Sequence, residues 1–210
     1  MKFSLPLANP PLPDAAQRQL LDDLVTRGWA HQTGFLSAEL TKTLAAECRN
    51  LNSTGALKPA AIGRGHAQTL QPEIRSDRIL WLQSGQSPAC DQYLTQMEAL
   101  RMLLNQHLYL GLNDYESHFA LYAPGATYQQ HLDRFHDDDA RTISCVTYLN
   151  QNWLDHEGGA LRLHPPGHAT QDIAPLGGDL ILFLSAEIPH EVLPATRDRL
   201  SIAGWFRRRT

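Results

Sequence analysis

The chain has 210 residues, of which 42% are hydrophobic, and it carries a formal net charge of −4 at pH 7. This size and composition are typical of a globular protein, and we expect residues 1–210 to form a single, monomeric domain. The negative charge offers no general attraction for nucleic acid or a membrane surface, so we expect neither as a partner. No apolar stretch is long enough to span a membrane and no signal-peptide pattern is present, which predicts a cytoplasmic location.

The cysteines are odd in number and widely spaced, at Cys48, Cys90 and Cys145. They fit neither a disulfide framework nor a zinc site, because both need sets of cysteines at characteristic spacings. Cys145 lies in an apolar run, which predicts a small buried side chain. The arginines at 207–209 are the only basic cluster and predict a solvated tail.

Three amphipathic segments in the first half of the chain predict helices that support the rest of the fold. Asp14 is the predicted N-cap of a helix that Gly28 ends. Ser37 is the predicted N-cap of a second helix, which runs to about residue 51. A third helix is predicted over 88–112, because its leucines recur at helical spacing.

From residue 114 onward the hydrophobic pattern alternates, and about eight short strands separated by Gly/Pro turns are predicted. The clearest strands are 116–122, 128–135, 142–149, 158–163, 180–184, 190–193 and 199–206. Two more strands are predicted upstream, over 29–35 and 74–83. The pattern favours a mainly β fold, a sandwich or jelly roll, with helical support mainly over 14–112 and a β core mainly over 114–206.

Residues 52–73 lack a clear period and are rich in glycine and proline. A long irregular segment in a compact domain is usually functional or disordered, and we interpret 60–75 as a lid. Arg75 and Asp77 follow, two residues apart on a predicted strand, so they can pair on one face. The alternative for this pair is an ordinary surface ion pair of little energetic consequence.

His131 and Asp133 form a His-x-Asp motif on a predicted strand, where side chains two residues apart leave the same face. A second histidine from a distant strand, such as that of Pro189-His190-Glu191, would complete a two-histidine, one-carboxylate site that suits Fe(II). With ten histidines in the chain, one such tripeptide is expected by accident. A second copy, His136 and Asp138, lies in a polar run that predicts a solvated loop.

Several ordered blocks carry a family resemblance over about two thirds of the chain. They are "IRSDRILWL" (74–82), "YAPGATYQQHLD" (122–133), "RTISCVTYLNQNW" (141–153), "GGALRL" (158–163), "GGDLILFLS" (177–185) and "PHEVLPATRDRLSIAGWF" (189–206). Together they resemble the Fe(II)/2-oxoglutarate-dependent dioxygenases of the prolyl 4-hydroxylase branch, including the hypoxia-inducible-factor prolyl hydroxylases and their bacterial relatives. The resemblance implies a double-stranded β-helix (jelly roll) core with the N-terminal helices packed on one sheet.

The resemblance also implies roles for individual residues. His131, Asp133 and His190 match the iron ligands. Arg199, Tyr148 and Tyr122 match residues that bind 2-oxoglutarate, and Arg75, Asp77, Arg141 and Trp205 match residues near the substrate. The implied cofactors are Fe(II), 2-oxoglutarate as co-substrate and O2, with ascorbate as a reductant.

Physical reasoning on Arg199 agrees with the role that the resemblance implies. The far end of 2-oxoglutarate is a carboxylate, and inside an apolar barrel it needs a charge-assisted partner such as a guanidinium. Arg199 follows His190 by nine residues, and Ser201 can share its face of the strand. Taken alone, Arg199 would be interpreted as a surface arginine of a strand.

The function implied is hydroxylation of a prolyl residue in a protein, and a loop of elongation factor Tu is the candidate target suggested by the bacterial relatives. One alternative uses the same chemistry on a small molecule, such as a free amino acid. Another is a jelly-roll binding module without catalytic activity, since a fold does not guarantee a function. A zinc hydrolase with the same three ligands is a further alternative, but it gives Arg199 no role.

Overall fold

The computed structural model describes residues 14–61, 69–134 and 140–209, which contain three α-helices and eleven β-strands. The helices are α1 (Ala15–Arg27), α2 (Ala38–Ser53) and α3 (Pro88–Leu108). The strands are β1 (Trp29–Gln32), β2 (Lys58–Pro59), β3 (Arg78–Trp81), β4 (Leu112–Tyr122), β5 (Tyr128–His131), β6 (Arg141–Tyr148), β7 (Leu161–Leu163), β8 (Gln171–Ile173), β9 (Leu180–Leu184), β10 (His190–Val192) and β11 (Arg199–Arg208).

The strands form two antiparallel sheets. The larger sheet has the order β1-β9-β6-β11-β4-β3-β2, and the smaller sheet has the order β5-β10-β7-β8. Strands that are distant in sequence are neighbours in both sheets, so the two sheets are wound together rather than formed in succession. This arrangement confirms the predicted mainly β fold with a jelly-roll core.

Side chains alternate between the two faces of the larger sheet and so contribute to two separate apolar cores. On one face, Leu180 and Leu182 of β9 belong to the core that includes the helices. On the other face, Ile181 and Phe183 of the same strand pack with Leu161 and Leu163 of the smaller sheet. The helices therefore cover one face of the larger sheet, as predicted, and the other face is left for the interior of the jelly roll.

Two of the predicted helices begin and end where the sequence indicates. Asp14 accepts a hydrogen bond from the backbone N–H of Gln17, and Gly28 takes a left-handed conformation (φ 74°) that ends α1. Ser37 caps α2 in the same way as Asp14 caps α1. In the described part of the chain, no helix combines the length and the apolar character that a membrane crossing requires.

The third helix is shorter than predicted, because it ends at Leu108 and not near residue 112. Tyr109 takes a left-handed conformation (φ 53°), and its backbone N–H donates to the carbonyl oxygen of Asn105. The Asn105 side chain accepts a hydrogen bond from the N–H of Leu112 and donates one to its carbonyl oxygen. Leu112 can therefore begin β4 directly after the turn.

Two strand predictions near the site also differ from the structure, and one strand was missed. The strand predicted over 74–83 is confined to β3, and Arg75 makes only an isolated bridge to Tyr128. The strand predicted over 128–135 ends at His131, so Asp133 lies beyond the strand and not within it. The short strand β8 had no distinct sequence signal. Part of the predicted lid, at 62–68, lies outside the described residues.

Candidate active site

Three side chains meet at one end of the smaller sheet. His131 is the last residue of β5 and pairs with His190, the first residue of β10. Asp133 follows β5 by two residues, and each of the three offers a ligand atom within 4.8 Å of the others. The two Asp133 carboxylate oxygens each lie 3.5 Å from the Nε2 atom of one histidine. The chain thus supplies two imidazoles and one carboxylate to a common point.

The two imidazole rings are oriented by the backbone. The Nδ1 atom of His131 lies 2.7 Å from the carbonyl oxygen of Gln129, and that of His190 lies 3.1 Å from the carbonyl oxygen of Ile188. A carbonyl oxygen can only accept, so both Nδ1 atoms carry the proton. The Nε2 atoms are left on the side of Asp133, where they can bind a cation, and this is the usual arrangement of metal-binding histidines.

The charge state of the cluster also suits a divalent cation. Burial alone would raise the pKa of Asp133, but His190, His131 and the Ser144 hydroxyl together hold it far below its usual range. Burial lowers the pKa of His190 to about 4, although Asp133 acts in the opposite direction. The cluster therefore offers a carboxylate and a neutral imidazole at neutral pH, which is the protonation state that a metal requires.

Aromatic rings pack on both sides of the imidazoles. The Tyr128 ring stacks on His131 with centroids 3.6 Å apart and planes inclined by 17°. The Phe183 ring lies 4.5 Å from that of His190. The Arg75 guanidinium lies 4.8 Å from the Tyr128 ring, and it holds Asp77 through two hydrogen bonds of 2.7 and 2.9 Å.

The Arg75–Asp77 pair is not the surface ion pair of the alternative interpretation. Asp77 is only 1% exposed, although no strand carries the pair. The guanidinium connects this carboxylate to the Tyr128 ring, and that ring lies against His131. The segment before β3 is therefore joined to the metal-binding end of β5 by direct contacts.

A buried arginine lies deeper in the same interior. Arg199 is 1% exposed, and its Nε atom donates to the carbonyl oxygen of Gly159 at 2.8 Å. Its Nη2 atom and the hydroxyl of Tyr148 are buried, and neither has a hydrogen-bond partner among the described residues. The guanidinium lies 5.2 Å from the rings of both Tyr122 and Tyr148.

These orphaned donors fit the carboxylate of a bound co-substrate. A buried guanidinium without an anionic partner is costly, and a carboxylate would accept from both Nη2 and the Tyr148 hydroxyl. A cavity of about 150 Å³ is lined by both the metal-binding group and Arg199. One ligand can therefore contact the metal at one end and the arginine at the other.

The mouth of the cavity carries a stacked cation and an indole. The Arg141 guanidinium lies 3.5 Å from the centroid of the Trp205 ring, and it also binds Glu116 at 2.8 Å. The Trp205 Nε1–H is buried and has no acceptor within the described residues. Both residues line the same cavity as His131 and Arg75. The four residues that the resemblance places near the substrate thus include three in the cavity wall, while Asp77 contacts one of them, Arg75.

His118 is a cavity residue that the sequence analysis missed. It lies on the same face of β4 as Ala120 and Tyr122, and it packs between the rings of Trp81 and Trp205 at 5.1 and 5.6 Å. Burial lowers its pKa to about 4, so it is neutral. His118 and Tyr122 are four residues apart on a predicted strand, and this spacing could have placed His118 on the cavity face. The second His-x-Asp pair, His136 and Asp138, lies outside the described residues.

Known proteins resemble this chain in sequence and in structure. Residues 117–207 match the sequence profile of the 2OG-Fe(II) oxygenase superfamily. A prolyl-4-hydroxylase of Pseudomonas putida has a similar structure, with 51% identity and a TM-score of 0.84 over 92% of this chain and 100% of that one. The chain belongs to the 2OG-Fe(II) oxygenase family. Fe(II), 2-oxoglutarate and O2 are the requirements of this family, as predicted, whereas ascorbate stays a prediction.

Prolyl hydroxylases of animals are also homologous to this oxygenase. Egl nine homolog 1 of Rattus norvegicus is 31% identical over 182 residues, which are 82% of this chain and 53% of that protein. The prolyl hydroxylase of Trichoplax adhaerens, solved with a hypoxia-inducible-factor peptide, is 27% identical with a TM-score of 0.81, over 91% of this chain and 88% of that one. The oxygenase spans about half the length of the first curated relatives that it matches.

Proposed function

We propose that this oxygenase hydroxylates a prolyl residue of a protein, with Fe(II) held by His131, Asp133 and His190. The observation that carries the proposal is one cavity bounded by the His-Asp-His cluster at one end and by Arg199, with its unpartnered Nη2 atom, at the other. A zinc hydrolase would use the first feature and give no role to the second.

In this proposal Arg199, Tyr148 and Tyr122 bind 2-oxoglutarate. The Arg199 guanidinium and the Tyr148 hydroxyl donate to the distal carboxylate, which removes their unsatisfied hydrogen-bonding potential. Tyr122 forms the wall beside Arg199, where its ring excludes water from the ion pair. Iron, when bound, supplies oxygen activation coupled to the decarboxylation of 2-oxoglutarate, and the protein supplies orientation and a dry pocket.

Arg75, Asp77, Arg141 and Trp205 are proposed to contact or shape the site for a peptide substrate. Trp205 is 6% exposed, and its ring lies against the Arg141 guanidinium, so the indole is proposed to position this cation in the cavity wall. The guanidinium can then donate a hydrogen bond to a peptide carbonyl next to the target proline. Asp77 holds Arg75 in place and is proposed to act through that contact.

A protein is the favoured class of substrate because the homologues are prolyl hydroxylases, one of them solved with a peptide from its target. Among proteins we propose a loop of elongation factor Tu as the first candidate. A small-molecule substrate, such as a free amino acid, is the second candidate, because the His-Asp-His cluster and Arg199 would serve the same chemistry on either class of substrate.

The remaining proposals concern the protein as a whole. We propose one domain over 1–210, because α1, α2 and α3 complete a core with the larger sheet of the jelly roll. A monomer in the cytoplasm, with ascorbate as the reductant that keeps iron in the ferrous state, accords with these features. Size-exclusion chromatography with light scattering tests whether the protein is a monomer, and turnover with and without ascorbate tests the reductant.

The decisive experiment identifies the target directly. Enzyme loaded with Fe(II) and 2-oxoglutarate without oxygen is mixed with cell lysate, oxygen is admitted, and prolines that gain about 16 Da are mapped by mass spectrometry. His131→Ala is the matched control, because it removes one proposed iron ligand. One proline modified by the wild type alone supports the proposal and names the target.

The other outcomes separate the alternatives. Succinate produced without any protein modification would transfer the proposal to a small-molecule substrate. Iron binding without turnover of 2-oxoglutarate, with or without lysate, would favour the binding module and overturn the proposed enzyme.

A further inference from the structure

Two buried serines form a hydrogen-bonded chain that ends on Asp133. The Ser144 Oγ atom lies 2.7 Å from Oδ2 of Asp133 and 2.9 Å from Oγ of Ser185. Ser144 is 1% exposed and Ser185 is fully buried. Ser144 belongs to β6 and Ser185 directly follows β9. The hydrogen bonds therefore run from the larger sheet to Asp133, in the segment after β5.

The direction of the chain follows from the number of protons. A carboxylate can only accept, so the single hydroxyl proton of Ser144 is donated to Asp133. Ser144 must then accept its second hydrogen bond, and the donor is the hydroxyl of Ser185. Each donor in such a chain is polarised by the next, which strengthens the bond that reaches the carboxylate.

The far end of the chain lies at the turn that delivers the second histidine. Ser185 lies in the turn that begins at Leu184, where the backbone N–H of Ile188 donates to the carbonyl oxygen of Leu184. The carbonyl oxygen of Ile188 in turn accepts from Nδ1 of His190 and sets its ring orientation. The two serines therefore connect Asp133 to the segment that carries His190.

We propose that Ser144 and Ser185 are positioning residues, which hold the Asp133 carboxylate in its metal-binding orientation and couple it to the His190 turn. The inference rests on the proposed metal site. Hydrogen-bond partners of a ligating side chain fix its orientation and commonly account for about 10- to 100-fold of metal affinity. Because Ser144 engages Oδ2, Oδ1 would be the carboxylate oxygen left without a hydrogen bond to hold the metal.

The test measures metal affinity rather than activity. Binding of Mn(II) to the full chain is followed by electron paramagnetic resonance, with the visible spectrum of Co(II) as a second probe. We expect Ser144→Ala to weaken Mn(II) binding about ten-fold or more, and Ser185→Ala to weaken it less. The double variant should match Ser144→Ala within about two-fold, because the two hydroxyls act in series. An additive loss in the double variant would overturn the series arrangement.

Ser117→Ala is the matched control. Ser117 is a buried serine of the same sheet, 2% exposed, and its Oγ atom has no partner in the described ranges. We expect this variant to bind Mn(II) as the wild type does. Ser144→Thr keeps the hydroxyl and should bind Mn(II) more tightly than Ser144→Ala. If the added methyl group is not accommodated at 144, Ser185→Thr and Ser185→Ala provide the same comparison at the second serine.

The outcomes distinguish the inference from the proposed function. A lower unfolding temperature of the metal-free protein with unchanged Mn(II) affinity would indicate a purely structural role and overturn the inference. Wild-type protein that binds neither Mn(II) nor Co(II) would overturn the proposed metal site itself. Weaker binding by Ser144→Ala, with its Co(II) spectrum altered and Ser117→Ala unaffected, supports the inference.

Discussion

The Nε atom of Arg199 donates a hydrogen bond of 2.8 Å to the carbonyl oxygen of Gly159, forty residues earlier in the chain. Gly159 has a φ of +72°, and a Cβ atom there would lie 3.0 Å from Cβ of Ala195, 3.1 Å from Trp153 and 3.3 Å from Cδ of Arg199. Only a glycine therefore lets the backbone approach the arginine closely enough to hold its guanidinium in place.

We predict that Gly159→Ala raises the KM for 2-oxoglutarate about ten-fold, because the new methyl group displaces the Arg199 side chain. Gly167→Ala is the matched control: its φ is +75°, but no described atom lies within 4 Å of the added Cβ. Both variants should lose roughly 1–2 kcal/mol of unfolding free energy from the left-handed backbone. An equal KM for both variants would contradict the prediction.

Removal of the Arg199 charge should have opposite effects on the free and the liganded protein. The guanidinium is buried with an unsatisfied Nη2 atom, so Arg199→Gln should leave the ligand-free protein at least as stable as the wild type. At 2-oxoglutarate about 100 times its Kd, the metal-loaded wild type should gain about 2.7 kcal/mol of stability, and the variant should gain almost none. Thermal unfolding measures both effects.

Tyr148→Phe should weaken 2-oxoglutarate binding less than Arg199→Gln does. It removes a neutral donor and keeps the ring, so we expect only about a five-fold rise in the Kd for 2-oxoglutarate. Isothermal titration in the presence of Mn(II) measures the change. Arg162→Gln, at a half-buried arginine of β7 that does not line the cavity, is the control and should titrate as the wild type does.

The strands could be predicted from short apolar or alternating runs between turn residues. Ile181 and Phe183 face one core and Leu180 and Leu182 face the other, so β9 is apolar on both faces and its sequence is a continuous apolar run after a Gly-Gly turn. The ends of elements depended on contacts that the local pattern does not contain. The third helix ends at Leu108 because Asn105 binds the backbone of a residue seven positions later.

In the site, too, contacts between residues close in sequence could be predicted, and contacts between residues distant in sequence could not. Because His131 and Asp133 are close in sequence, their pairing was predictable, although Asp133 lies beyond the end of the strand. Ser144 was not singled out, because a serine in an apolar strand carries no signal until its distance to Asp133 is known. The burial of Asp77 was missed for the same reason.

The cysteines should react slowly with alkylating agents in the native protein. Burial raises the pKa of Cys48 and Cys145 to about 12 and that of Cys90 to about 11, from an ordinary value of 9.0. At pH 8 the thiols are therefore held in the protonated form, and the thiolate is the reactive form. Iodoacetamide at pH 8 should modify none of the three within an hour, and all three after unfolding.

The raised thiol pKa values also determine how the free energy of unfolding changes with pH. The unfolded protein loses its thiol protons first as the pH rises above 9. The contribution of the buried thiols to the free energy of unfolding is therefore complete below pH 9 and is lost towards pH 12. Urea unfolding at pH 8 and pH 10 should show a loss of stability, and replacing Cys145 by Ala should reduce that loss. An unchanged difference between the two pH values would contradict the assignment.

Breaking the buried Arg75–Asp77 pair should destabilise the fold far more than breaking an exposed pair of the same geometry. Asp77→Asn leaves the mostly buried Arg75 guanidinium without its anion, and breaking a buried pair in this way costs about 3–5 kcal/mol. Arg162 and Asp172 form an equally short two-bond pair, at 2.7 Å for both contacts, on the exposed face of β7 and β8. Because water screens this pair, Asp172→Asn should change the unfolding free energy little.

Asp77→Asn and Asp172→Asn can also be compared in their metal binding, which tests the contact of Arg75 with the site separately from its effect on stability. A freed guanidinium can leave the Tyr128 ring, which stacks on His131, so Asp77→Asn should also weaken Mn(II) binding. Asp172→Asn should leave Mn(II) binding unchanged, because its partner lies in the other half of the small sheet. Urea unfolding and electron paramagnetic resonance on the same samples measure the two effects. Equal urea midpoints for the two variants would show that burial of the pair contributes nothing.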